Sequence, residues 1–152
     1  MNLTQKETSL LKDLVSHEEL CIEKYNRYSS QANDAQLKNL FTDLGQVEMQ
    51  HLDTLTKIQN GTVPQMNQAA QKQMPTFTQS YANECPEKEQ DKFLCTDALS
   101  TEKEVSSVYN TCIFEFTDAN TRNVLNHIQK EEQEHGEKIY NYMSANGMYA
   151  VQ

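Results

Sequence analysis

The chain has 152 residues, a formal net charge of −9, 4 glycines, 3 prolines and no tryptophan. That length serves one domain with its own core, and scarce Gly and Pro beside plentiful Leu, Glu, Gln, Lys and Ala favour helix. The acidic balance excludes the basic face that non-specific nucleic-acid or anionic-membrane binding needs, and no apolar run approaches the ~20 residues of a transmembrane helix.

The first helix is expected to begin at Thr4, which has capping-box spacing with Glu7. Its inward stripe is Leu11, Leu14, Glu18, Cys21 with Ile22, Tyr25, Tyr28 and Ala32. Asn33-Asp34 ends it, and Asp34 can cap a second helix. That helix carries Leu37, Leu40 with Phe41, Leu44, Val47 with Glu48, His51, Leu55 and Ile58. Asn60-Gly61 is a stop signal, with Pro64 beyond it.

Residues 61–85 are polar, rich in Gln and Asn and without strong periodicity, and read as a crossover with room for a short helical turn. Pro86 suits the first turn of a third helix. Its stripe is Leu94 with Cys95, Ala98, Glu102, Val105, Tyr109, Cys112 with Ile113, and Phe116. Asp118 caps a fourth helix carrying Val124 with Leu125, Ile128, Glu132, His135, Ile139 and Tyr142 with Met143, closed by Asn146-Gly147. The expected architecture is all-α: a single domain over 1–152, built as an antiparallel four-helix bundle of hairpins at about 4–60 and 86–146. Two tight hairpins and one long crossover are the connectivity of ferritin-like bundles.

The halves repeat. Shifted by 84 residues, Glu18 falls on Glu102, Tyr25-Asn26 on Tyr109-Asn110, Asp34-Ala35 on Asp118-Ala119, Asn39 on Asn123 and Asp13 on Asp97. The same shift pairs two Glu-x-x-His tetrapeptides, Glu48 to His51 and Glu132 to His135. Residues three apart share a helix face, so each tetrapeptide can aim a carboxylate and an imidazole at one point. In both halves a lone Glu precedes the tetrapeptide by 30 residues.

Helical phase selects among the acids: Glu18 is in register with the inward stripe, while Glu19, Glu131 and Glu134 are turned away. The candidate metal ligands are therefore Glu18, Glu48, His51, Glu102, Glu132 and His135. One Glu from each of two helices plus Glu-x-x-His from each of the other two is the ligand set of di-iron and di-manganese carboxylate bundles. Four carboxylates in an apolar core would each cost several kcal/mol if ionised and unpaired. Two divalent cations neutralise them, and oxygen ligands with some imidazole suit iron or manganese, with zinc also able to bind. Tyr25 and Tyr109, two helical turns after Glu18 and Glu102, can each donate a hydrogen bond to a ligand carboxylate. His17 and His127 fall off the stripe and read as solvated.

Of the four cysteines, Cys21 and Cys112 lie in apolar stripes and read as small core residues. Cys85 and Cys95 sit near the crossover, where a disulfide is conceivable but disfavoured inside a cell. No Cys-x-x-Cys pair is present, which excludes rubredoxin-type and thioredoxin-like motifs. Met1 to Glu7 lacks the apolar stretch of a signal peptide, so the expected location is the cytoplasm, or an outer layer reached by assembly.

Several of these segments resemble known families. Glu18 with Tyr25, and Phe41 with Glu48-x-x-His51, resemble the first hairpin of rubrerythrins within the ferritin-like superfamily. Thr101-Glu102-Lys103 followed by Ser106-Ser107-Val108-Tyr109-Asn110 resembles the spore coat protein F family of endospore-forming bacteria, the closer likeness. That resemblance implies a spore-forming bacterium and a place in or near the spore coat, with coat proteins as partners. Two departures separate the chain from rubrerythrins. The four-cysteine rubredoxin domain is missing, and Val105 stands where that family has a further helix-three glutamate. Its peroxide-reductase mechanism therefore does not carry over.

Two functions follow as expectations. One is a di-metal oxidoreductase handling O2 or peroxide, with Tyr25 or Tyr109 orienting ligands or relaying a proton. The alternative is a structural coat or assembly protein whose metals only stabilise the bundle. Iron storage in a cage is weaker, because no fifth helix is evident after Gly147. A duplicated hairpin with a long linker also permits a homodimer that exchanges hairpins.

Overall fold

A computed structural model describes residues 1–66 and 72–149. Four helices account for nearly all regular structure: α1 (Gln5–Gln31), α2 (Ala35–Gln59), α3 (Pro86–Glu115) and α4 (Ala119–Ala145). Among the described residues there is no strand, and the crossover forms no helical turn.

Local chemistry sets each boundary. Thr4 caps α1 in a full capping box: Glu7 N–H donates to Thr4 Oγ1 at 3.1 Å, and Thr4 N–H donates to Glu7 Oε2 at 2.8 Å. Asp34 and Asp118, equivalent in the repeat, cap α2 and α4 by accepting from the N–H groups of Gln36 and Thr121. Gly61 and Gly147 follow α2 and α4 with φ of 85° and 63°, the left-handed conformation that glycine takes without a Cβ clash.

Three-residue links make α1–α2 and α3–α4 antiparallel hairpins. The crossover joins the end of α2 to the other end of the bundle, where α3 begins beside the α1–α2 turn. Its second half is fastened there. Asn146 Oδ1 accepts from the N–H groups of Ser80 and Tyr81, Gln36 Nε2 donates to Thr78 O, and Phe77 packs edge-on against Tyr142. All four cysteines are free thiols; Cys21, Cys95 and Cys112 are buried, and Cys85 is partly so.

The core divides into two apolar clusters. One gathers Leu37, Phe41, Leu94, Cys95, Ile139 and Tyr142 at the α1–α2 turn end. The other gathers Leu11, Leu14, Leu55, Cys112, Leu125 and Ile128 at the opposite end. Between them runs a layer of buried polar side chains, described below.

A second pair of buried acids joins the hairpins. Asp91, fully buried on α3, accepts from the N–H groups of Asn33 (2.8 Å) and Asp34 (3.0 Å) in the α1–α2 turn, and from the Tyr81 hydroxyl (2.6 Å). Its equivalent in the repeat, Glu7, accepts from Thr117 N–H (3.0 Å) in the α3–α4 turn. The first helix of each hairpin thus latches the turn of the other.

Asp91→Ala would strand several donors and is expected to cost about 2–4 kcal/mol. That corresponds to a fall in Tm of roughly 5–15 °C at ~2–4 °C per kcal/mol. Glu7→Ala, whose partner Thr117 is exposed, should cost less. Circular dichroism melts of both variants check this; equal small losses would show that Asp91 is not a latch.

Candidate metal centre

Each helix delivers its part of the polar layer from mid-length, where its backbone is fully bonded and the ends cannot fray. Glu18 comes from α1, Glu48 and His51 from α2, Glu102 from α3, and Glu132 and His135 from α4. All six are buried, none more than 2% exposed. The structure brings together every residue the repeat and helical phase single out.

Their atoms form two overlapping groups. Glu18, Glu48, His51 and Glu132 each place one ligand-type atom within 4.8 Å of the others, and so do Glu48, Glu102, Glu132 and His135. Glu48 and Glu132 belong to both groups. The two imidazoles lie nearly parallel, 18° apart with centroids 5.8 Å apart. His51 Nδ1 is 2.9 Å from Glu132 Oε1 and 3.1 Å from Glu48 Oε2; His135 Nδ1 is 3.0 Å from Glu48 Oε1. Each ring thus turns Nδ1 inward.

Both tyrosines donate to a carboxylate of the opposite hairpin. The Tyr25 hydroxyl donates to Glu102, and the Tyr109 hydroxyl donates to Glu18. Spacing along one helix placed the hydroxyls near the ligands but did not show that they cross between hairpins. Gly45 permits this on α2, since a Cβ there would stand 3.3 Å from Tyr25 Cβ.

Burial and mutual charge set the protonation. Burial pushes Glu48 and Glu102 up to about 7, aided by Glu18 beside the first and Glu132 beside the second. Burial alone would lower the two imidazoles, but the carboxylates around them raise His51 and His135 well above their usual value. Burial opposes the charge on Glu132 too, yet its contacts with Glu102, His135 and His51 leave it below the usual range. Burial first, then the neighbouring glutamates, raises Tyr25 and Tyr109, so both remain protonated donors.

Even so, the layer is incompletely satisfied. Glu18 Oε2, Glu102 Oε2, Glu132 Oε2 and His51 Nε2 are buried without a hydrogen-bond partner. Such atoms are costly unless something further binds them. Four carboxylates and two imidazoles in two groups that have Glu48 and Glu132 in common would suit a pair of divalent cations.

Helical phase turned Glu131 away from the site and left His127 to solvent. In the structure Glu131 Oε1 lies 3.4 Å from His51 Nε2, and His127 Nε2 lies 2.8 Å from the same oxygen. The His51 imidazole holds the Glu131 carboxyl down to about 2. His127 is only part exposed, because its ring turns along the helix toward Glu131 four residues on. The i,i+4 spacing of His127 and Glu131 was the signal for this pair. His17 lies outside the layer and lines a surface groove with Asp13 and Leu20. Glu19 and Glu134 take no part in either group.

A cleft of about 450 Å³ between α3 and α4 reaches the layer, with Glu102 and Glu132 at its floor and Gly136 on its wall.

The Coat F domain family model matches residues 90–152. This span takes in most of α3 and all of α4, and with them Glu102, Tyr109, Glu132 and His135. The second hairpin is therefore similar to that family, as its Thr101 to Asn110 segment implied, and the first hairpin lies outside the match. No curated protein and no solved structure matches the chain. No described helix is long and apolar enough to cross a membrane.

Two outcomes test this geometry. The metal-free protein should lose stability as pH rises. Glu48 and Glu102, raised from 4.5 to about 7, stabilise the fold fully below about 4.5 and cease to as pH passes about 7. The raised imidazoles act in the same sense above 6.5. Metal-free Tm should thus be lower at pH ~8.5 than at pH ~5.5, and added manganese should raise it more at the higher pH, where protons compete less. A metal-free Tm that climbs over this range would contradict the assignment. Separately, Tyr25→Phe and Tyr109→Phe should each cost about 1–3 kcal/mol, with similar falls in Tm because the two bonds are equivalent in the repeat.

Proposed function

We propose that the protein is a spore-coat-associated bundle that holds two divalent metal ions between its hairpins, and that the metals fasten the fold for assembly. The observation that carries this reading is the pair of ligand groups sharing Glu48 and Glu132. The shared acids come from α2 and α4, so ions held there would tie one hairpin to the other. Coat association is supported by the Coat F domain match over α3 and α4, and coat proteins are the partners it suggests. Glu18 and His51 would complete one metal position, Glu102 and His135 the other. Iron and manganese suit the donor set best, and zinc also fits.

A second reading is favoured by the cleft that reaches Glu102 and Glu132. Glu18, Glu48, His51, Glu102, Glu132 and His135 would hold an iron or manganese pair, which would supply redox chemistry toward peroxide, with peroxide serving as both oxidant and reductant. In that case Tyr25 and Tyr109 hold protons against Glu102 and Glu18, and the apolar clusters close the layer along the bundle axis, leaving the cleft as its approach. The same fold then serves a protective oxidoreductase.

Glu48→Ala combined with Glu132→Ala separates these readings. The variant should lose metal binding and the rise in Tm that metal gives the wild type. If metals serve structure, its assembly into larger particles fails and wild-type protein turns over no peroxide. Peroxide turnover by the wild type that the variant loses supports the second reading. A variant that still binds two metals per chain would overturn both.

A further inference from the structure

The repeat makes the two ends of the polar layer equivalent in ligands, yet a cleft opens onto the Glu102 and Glu132 side. Its walls are Leu99, Gly136, Tyr140 and Tyr149, and its floor is Glu102 and Glu132. The opening follows from two small-for-large differences between the halves. Gly136 occupies the place of Leu52, and Ser106, also on the lining, the place of Ile22. Leu52 and Ile22 are both part buried, so on the α1–α2 face these positions are filled by side chains.

Gly136 is not in the left-handed region, so no turn requires glycine there. A Cβ at this position would make ordinary contact with Leu99 Cδ1 at 3.5 Å. What the glycine provides is open space one residue from His135.

At about 450 Å³ the cleft is far larger than a diatomic molecule needs and falls within the range of small organic ligands. Tyr140 and Tyr149 meet edge-on, with centroids 5.1 Å apart, and offer aromatic edges and faces on one side; Leu99 offers an aliphatic surface. Lys103 and Glu137 also line the cleft and are opposite in charge, so it does not select an ion of either sign. At the floor, Glu102 Oε2 and Glu132 Oε2 are buried and unpartnered.

We infer that the cleft between α3 and α4 binds a small neutral aromatic molecule with one polar group, a phenol in chemical class, at the Glu102/His135 end of the site only. The inference rests on the proposed metal pair, because the polar group would face the floor that the pair neutralises. The ring would lie against Leu99 and the tyrosines. The His51 end, filled by Leu52 and Ile22 and flanked by Glu131, takes no such ligand.

The test uses 4-fluorophenol and fluorine NMR on the full chain, loaded once with zinc and once with manganese, with metal counted in each sample. Zinc-loaded wild type should broaden the fluorine line, and manganese should greatly speed its relaxation. Gly136→Leu should lose both effects while keeping its helical signal and metal content, and Leu52→Met should keep both. Equal broadening by wild type and Gly136→Leu, no broadening by wild type, or retained manganese without effect would each overturn the inference. If two metals bind and the phenol does not discriminate, the inference fails and the metal site stands. If the phenol discriminates and no metal is retained, the metal reading fails and the cleft keeps its ligand class.

Discussion

Four glutamates and two histidines buried at mid-bundle are the constraint around which the rest of the structure is arranged. An apolar interior does not accept such a set unless charge and hydrogen bonds are balanced. Without metal the balance is made by protons: raised imidazoles, two carboxyls pushed up to about 7, and two tyrosine hydroxyls. Three carboxylate oxygens and one ring nitrogen remain unpartnered even then. Two cations would replace the protons and engage the carboxylate oxygens, while His51 Nε2 faces Glu131. The apolar clusters close the layer along the bundle axis, which strengthens the charge interactions inside it.

The pseudo-symmetry explains how a short chain builds so dense a site. One hairpin supplies one Glu and one Glu-x-x-His, and a second copy supplies the same set from the other side. The repeat also binds the copies together: Tyr25 and Tyr109 cross to each other's hairpin, and Glu7 and Asp91 latch each other's turn. Departures from symmetry then mark where the halves differ in role. Val47 stands opposite Glu131, Leu52 opposite Gly136, and Ile22 opposite Ser106. They give one end of the layer an acidic neighbour and the other an open cleft.

The four helices and their ends were legible because caps, stops and a 3.6-residue period are local signals, and Thr4, Asp34, Asp118, Gly61 and Gly147 take the roles their chemistry suggests. The six clustered residues were legible because period and repeat agree on them. The latching of the opposite turns by Asp91 and Glu7 was not legible: a buried acid looks like a surface one until the turn it bonds is in place, although the 84-residue shift does pair them. Glu131 was set aside because phase describes where a Cβ points, and a long side chain can lean back to His51. The anchors of the crossover, Gln36, Ser80 and Asn146, are polar contacts without a period and left no signal. Burial of Leu99 and Thr121 likewise depends on neighbours from other helices.

The proposed coat association and the proposed metal-fastened core are compatible demands on one bundle, since a protein assembled into a protective layer gains from a core that resists unfolding. All of this turns on the metal pair. Anomalous diffraction from crystals of manganese-loaded protein tests it most directly. Two peaks roughly 3.5–4 Å apart are expected, both touching Glu48 and Glu132, one beside His51 and the other beside His135. A core without anomalous density, or peaks confined to surface acids, would contradict it.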